Sequence, residues 1–175
     1  MVAVRGSHLL NPQDFVIEQW CAGLKLAEQT EKSLIDAWYY ARDLMSTHPD
    51  EMKNATLMLQ SGVEMVEILH ELNMDAETLL TAMLFPVVAN KLTDWESLKE
   101  KFGAKITKLL KGVLEMDNIR QLNASHSANA LQVDNVRRML LAMVDDFRCV
   151  IIKLAERITF LRDAEHRCAE EDKVL

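Results

Sequence analysis

Ala76-Glu77-Thr78-Leu79-Leu80-Thr81-Ala82-Met83-Leu84-Phe85-Pro86-Val87-Val88-Ala89-Asn90 carries a single charged residue, Glu77. It is too long for an ordinary strand and apolar on nearly every face, the pattern of a helix surrounded by other helices. Asp75 can cap its start, and Asn73 suits the end of the helix before it. Pro86 removes one backbone donor, so a kink or early stop is expected there.

Working outward, the pattern predicts an all-α fold of about eight helices. The first covers Gln13 to Ala22 and ends near Gly23; the second covers Ala27 to Ser46. Leu34, Ala37, Trp38, Ala41 and Met45 mark the inner face of the second. A third runs from Ala55 to Leu72, with Val66, Leu69 and Leu72 inward and Glu64, Glu67 and Glu71 solvated. Thr93-Asp94-Trp95-Glu96 reads as a capping box with Thr93 as N-cap, opening a helix that ends near Gly103. Another helix spans Ala104 to Arg120, and the small, polar run Gln121 to Ala130 reads as a loop. Two more helices follow. In the last, Phe147, Val150, Ile151, Leu154, Ile158 and Leu161 fall at helical spacing and are expected to form a core stripe.

The composition agrees. The chain has 175 residues, 49% of them hydrophobic, with five Gly and three Pro, and few breakers favour helices. Such a length fits one domain and buries about 70% of the unfolded surface without staples. Three widely spaced cysteines, Cys21, Cys149 and Cys168, read as reduced thiols rather than a disulfide framework. There is no signal peptide and no apolar run long enough to span a membrane, so a cytoplasmic location is expected. The formal charge of −7 argues against direct nucleic-acid binding. His8, His48, His70, His126 and His166 are scattered without ligand spacing, and no phosphate loop, CxxC pair or nucleophile elbow is present.

Leu72 to Asn90, Arg137 to Met143 and Lys153 to Arg157 together resemble the hydrolase domain of the RelA/SpoT family, an HD-type helical domain. The likeness covers about Gly62 to Arg162 and is strongest from Val133. In members that degrade (p)ppGpp, the resemblance implies a divalent metal held by a His on the third helix, a His-Asp pair on the fourth and an Asp on the last. Those positions correspond here to Ser61, Phe85-Pro86 and Glu156. The acidic pair that assists catalysis corresponds to Ala89-Asn90, and a late His and Asn to Thr159 and Phe160. The basic segment that helps bind the nucleotide is replaced by Thr47 to Asn54, which departs from it completely. Only Glu156 keeps ligand chemistry. A first-row cation without thiolates needs several imidazoles or carboxylates, and hydrolysis near neutral pH needs a water acidified by such an ion.

The resemblance therefore implies a catalytically inactive HD-type domain over residues 1–175, with no metal and no cofactor of its own. Residues 165–175 would begin a linker to a synthetase domain of the same polypeptide that lies outside this chain. That polypeptide would transfer pyrophosphate from ATP to GTP or GDP, and reach the ribosome and uncharged tRNA through other domains. Three alternatives stand beside this reading. One is residual metal-dependent hydrolysis by Glu156 with Asp145 or Asp146; another is a nucleotide or protein sensor; the third is a self-associating module forming a homodimer. Asp146, Arg148 and Arg157 read as a structural charge network.

Overall fold

The computed structural model describes residues 15–47, 52–124 and 146–171, which form seven helices and no strand. They are α1 (Ile17–Leu24), α2 (Glu28–Ser46), α3 (Met52–Glu71), α4 (Ala76–Ala89), α5 (Trp95–Phe102), α6 (Ala104–Ala124) and α7 (Arg148–Glu171). The all-α expectation holds. The helix expected before α7 lies outside the described residues.

α4 is the axis of the fold. Every residue from Thr78 to Val88 is buried, because α2, α3, α6 and α7 all pack around it. Asp75 caps it, accepting from Thr78 N at 3.0 Å. The helix passes through Pro86 and ends three residues later at Ala89. Its last carbonyls are closed by Lys91, in the left-handed region at φ 57°, with Lys91 N donating to Val88 O and Leu92 N to Val87 O. Asn73, at φ 55°, ends α3 in the same way, through Met74 N to Leu69 O. The inner face expected for α2, Leu34 to Met45, is buried as read.

Other expectations are corrected. α1 starts at Ile17, not Gln13, and its left-handed end residue is Lys25 rather than Gly23. α3 turns further than expected, leaving Leu72 exposed past its end while Glu64 is 8% exposed. α5 is capped by Asp94, whose carboxylate accepts from Glu96 N and Ser97 N. Thr93 is not the cap; its hydroxyl is taken by Tyr40 on α2. α6 continues to Ala124, so Gln121 to Ala124 are helix and not loop.

The largest correction concerns α7. Phe147 is 66% and Leu154 55% exposed, and Ile158 and Leu161 are exposed with them. The buried face carries Cys149, Ile152, Ala155 and Thr159 instead, turned by roughly 135° at 100° per residue, and of the expected stripe Ile151 is partly buried against the core. At Cys149 this face approaches α6 closely. A Cβ on Gly112 would lie 2.7 Å from Cys149 Sγ. α3 and α4 are similarly close, since a Cβ on Gly62 would meet Met83 O at 3.1 Å.

The start of α7 is fixed to α4 by charge. Arg148 grips Asp146 with Nε and Nη2, at 2.9 Å to Oδ1 and 2.7 Å to Oδ2. Its Nη1 reaches Asp75 Oδ2 at 2.6 Å and Glu77 Oε2 at 3.0 Å. Lys105 of α6 joins at Glu77, 3.2 Å away. The structural network read for Asp146 and Arg148 is present; Arg157 is not part of it and lies over Phe160.

Candidate functional site: a cleft between α3, α4 and α7

α3, α4 and α7 enclose a cavity of about 400 Å³. Ser61, Phe85, Pro86, Ala89, Asn90 and Glu156 all line it, as do Thr159 and Phe160. Residues far apart in the chain, from Ser61 to Phe160, are thus brought to one place. They meet because α4 is central and α3 and α7 flank the same end of it.

Each side chain has local employment. Ser61 Oγ lies 3.4 Å from Thr159 Oγ1, linking α3 to α7, and Thr159 donates back to the Glu156 carbonyl at 2.8 Å. Asn90 Nδ2 donates to the Pro86 carbonyl at 2.7 Å, closing the end of α4. As an amide in that role, it neither takes nor gives a proton. Phe85 fills the wall, 3% exposed. Glu156 Oε2 is sealed from solvent and has no hydrogen bond of good geometry; its charge partner is Lys153 Nζ at 3.0 Å.

Sequence reasoning missed Glu64, which it placed in solvent. Glu64 lines the cavity and accepts from Gln60 Nε2 at 2.9 Å. The signal was available: Glu64 is three residues from Ser61, one turn along the same face. Asp163 also lines the cavity, one turn beyond Thr159 and two beyond Glu156. Asp146 does not; it is ten residues from Glu156, roughly 15 Å along the helix, and committed to Arg148. Asp145 lies outside the described residues.

The donor set does not fit the divalent metal implied for hydrolytic members. Phe85 and Pro86 offer no ligand atom, Ser61 is turned to Thr159, and Glu156 is paired with an ammonium. Among the described residues no three His, Cys, Asp or Glu are placed to hold an ion. The lining includes three carboxylates, Glu64, Glu156 and Asp163, and no Lys, Arg or His. Phosphates entering this cleft would meet like charge at short range, which costs rather than contributes. No described helix is long and apolar enough to cross a membrane.

Comparison with known proteins agrees with the fold. A sequence profile described as an HD domain matches residues 37–175. The whole chain is 97% identical to part of a GTP pyrophosphokinase from Haemophilus influenzae, covering 24% of that protein. It is 47% identical to the Escherichia coli K12 GTP pyrophosphokinase, covering 23% of it. Over 78% of the chain it is 30% identical to the E. coli bifunctional (p)ppGpp synthase/hydrolase SpoT, covering 19% of that protein. The chain thus spans about a quarter or less of the length of these relatives. All-helical architecture, the profile match and these identities agree, and the chain belongs to the HD-domain family, as an HD domain of the RelA/SpoT type.

Proposed function

We propose that this domain is a catalytically inactive (p)ppGpp-hydrolase-like module. It serves a stringent-response synthetase of the GTP pyrophosphokinase kind, which makes (p)ppGpp and AMP from ATP and GTP or GDP. The observation that carries the reading is the lining of the cleft. At the positions where hydrolytic members need metal ligands and proton-transfer groups stand Ser61, Phe85, Pro86, Ala89 and Asn90, with Glu156 already paired to Lys153. General acid–base help also requires a titratable group aimed at substrate, and Asn90 supplies none.

The role of the module is then structural or regulatory toward a synthetase domain of the same cytoplasmic polypeptide. Contacts with ribosome and uncharged tRNA belong to other parts of that polypeptide. Nucleotide sensing by the cleft is disfavoured by its three carboxylates and its lack of basic lining residues.

The test is ppGpp hydrolysis by this chain with saturating manganese, followed as pyrophosphate release. No turnover above buffer is expected. Turnover that survives repurification would overturn the reading, and loss of that turnover in Glu156→Ala would locate it at this cleft. The regulatory half is tested by deleting the domain from the full-length protein, where an unchanged synthesis rate would refute it.

A further inference from the structure

A cation stands just behind the lining of the cleft, against two of its residues. Lys153 leaves α7 one turn before Glu156, and its side chain is only 14% exposed. Its ammonium sits 3.0 Å from Glu156 Oε2 and 5.2 Å from the centre of the Phe85 ring on α4. A carboxylate oxygen sealed from solvent is costly without a compensating charge, and the electron-rich face of a benzene ring attracts a partly desolvated ammonium. One turn further along α7, Arg157 covers Phe160 in the same manner, 4.9 Å from the ring centre. Both phenylalanines that line the cavity are thus met by cations of α7 itself.

From these contacts we infer that Lys153 is the resident counter-charge of Glu156, held behind the wall of the cleft. It is a fixed ammonium that neutralises Glu156 and ties α7 to the Phe85 face of α4, where the donor set no longer suits a divalent ion. The inference rests on the proposal that Phe85 and Glu156 stand at former ligand positions, and it goes further. It assigns the charge balance of the cleft to a side chain that cannot exchange with solvent, so the stability of the domain is independent of metal. Lys153 is on this account a positioning residue, acting through Glu156 and Phe85.

Thermal unfolding with EDTA and then with manganese gives the first arm, and no difference in Tm is expected. Variants K153M, E156Q and K153M/E156Q give the second. K153M is expected to melt several degrees lower, and the double variant to recover most of that loss, because the orphaned carboxylate has gone. The third arm is spectroscopic: the ε-methylene protons of Lys153 are expected to be shifted upfield by the Phe85 ring and to return towards random-coil values in F85L. Should K153M fail to fold, K153R and the wild-type proton shift decide the matter. Arginine keeps the charge and is expected to retain most of the stability.

A manganese-dependent rise in Tm that disappears in E156Q would overturn the inference. So would losses in K153M and E156Q that simply add, or ε-protons indifferent to F85L. Hydrolysis of ppGpp by the wild type would sink the inactive-domain reading alone, whereas additive losses would sink this one alone.

Discussion

Replacing Arg148 with alanine tests how the fold is pinned together. The Arg148 side chain is 22% exposed and joins Asp146, just before α7, to Asp75 and Glu77 at the start of α4. The paired contacts to Asp146, itself 26% exposed, resemble a partly buried charge-assisted pair, for which about 1.5–2 kcal/mol is reasonable. Asp75 is 51% exposed and Glu77 31%, so solvent screening holds each of those contacts to roughly 0.5 kcal/mol. Together they give about 2–3 kcal/mol, or a fall in Tm of roughly 5–10 °C for a domain of this size.

The pH dependence supplies a sharper test than the magnitude. Hydrogen bonds from Arg148 lower the Glu77 carboxyl, with help from Lys105, and likewise that of Asp146. At Asp75 burial pushes the pKa up, but hydrogen bonds from Thr78 and Arg148 outweigh it and the net shift is downward. Folded-state values lie below the unfolded ones. The stabilisation is therefore present above the ordinary values of 3.8 and 4.5 and is lost as the pH falls through that range and below. Urea titrations at pH 7 and at about pH 3.5 are expected to show the Arg148→Ala penalty shrinking at the lower pH. A penalty that stays constant, or a shift in Tm under about 2 °C at pH 7, would refute the argument, since a domain of this size loses roughly 2–4 °C per kcal/mol.

Four further outcomes follow from particular contacts. Gly112→Ala is expected to destabilise by about 1–3 kcal/mol through overpacking against Cys149, and Cys149→Ala in the same chain to return part of it, measured as a double-mutant cycle in urea. Asp94→Ala is expected to cost about 1 kcal/mol as loss of a helix cap, whereas Thr93→Val spares the cap and loses only the Tyr40 contact; equal costs would contradict the assignment. Burial raises the Cys21 thiol to about 11, with Glu31 and Glu18 adding to the shift, so iodoacetamide at pH 8 is expected to label it slowly in buffer and quickly in urea. Leu154→Lys is expected to change stability by no more than about 0.5 kcal/mol; a loss of several degrees would mean that this face is covered.

How far the sequence discloses the fold depends on how many sides of each helix are packed. α4 was legible because neighbours surround it, so every residue from Thr78 to Val88 obeys one rule and no choice of face arises. α2 was legible because one stripe of large residues has no rival. α7 was not, because it carries two faces that both satisfy helical spacing. The face with the larger residues, Phe147 to Leu161, attracts a reading based on hydrophobicity. The face that packs carries Cys149, Ile152, Ala155 and Thr159, with Cys149 fitted against Gly112 of α6. Periodicity counts apolar character and is blind to approach distance.

The cleft divides along the same line. The aligned positions on α3, α4 and α7 do meet around one cavity, since motif spacing carries three-dimensional information once a family pattern is matched. What spacing withheld was the charge arrangement. Glu64 looked like a surface acid because glutamates recur at Glu64, Glu67 and Glu71, and their sequence does not tell which one turns inward. Gln60 donates to Glu64 from four residues earlier and makes its burial tolerable. Lys153 enters the sequence reading only as the first residue of a family-like stretch, and its contact with Phe85, from a helix nearly seventy residues earlier, is visible only in the fold. A phenylalanine at a ligand position thus does more than remove a ligand. It supplies the aromatic face on which a lysine of α7 rests, so on the proposed reading one residue both takes the place of a ligand and helps hold the two helices together.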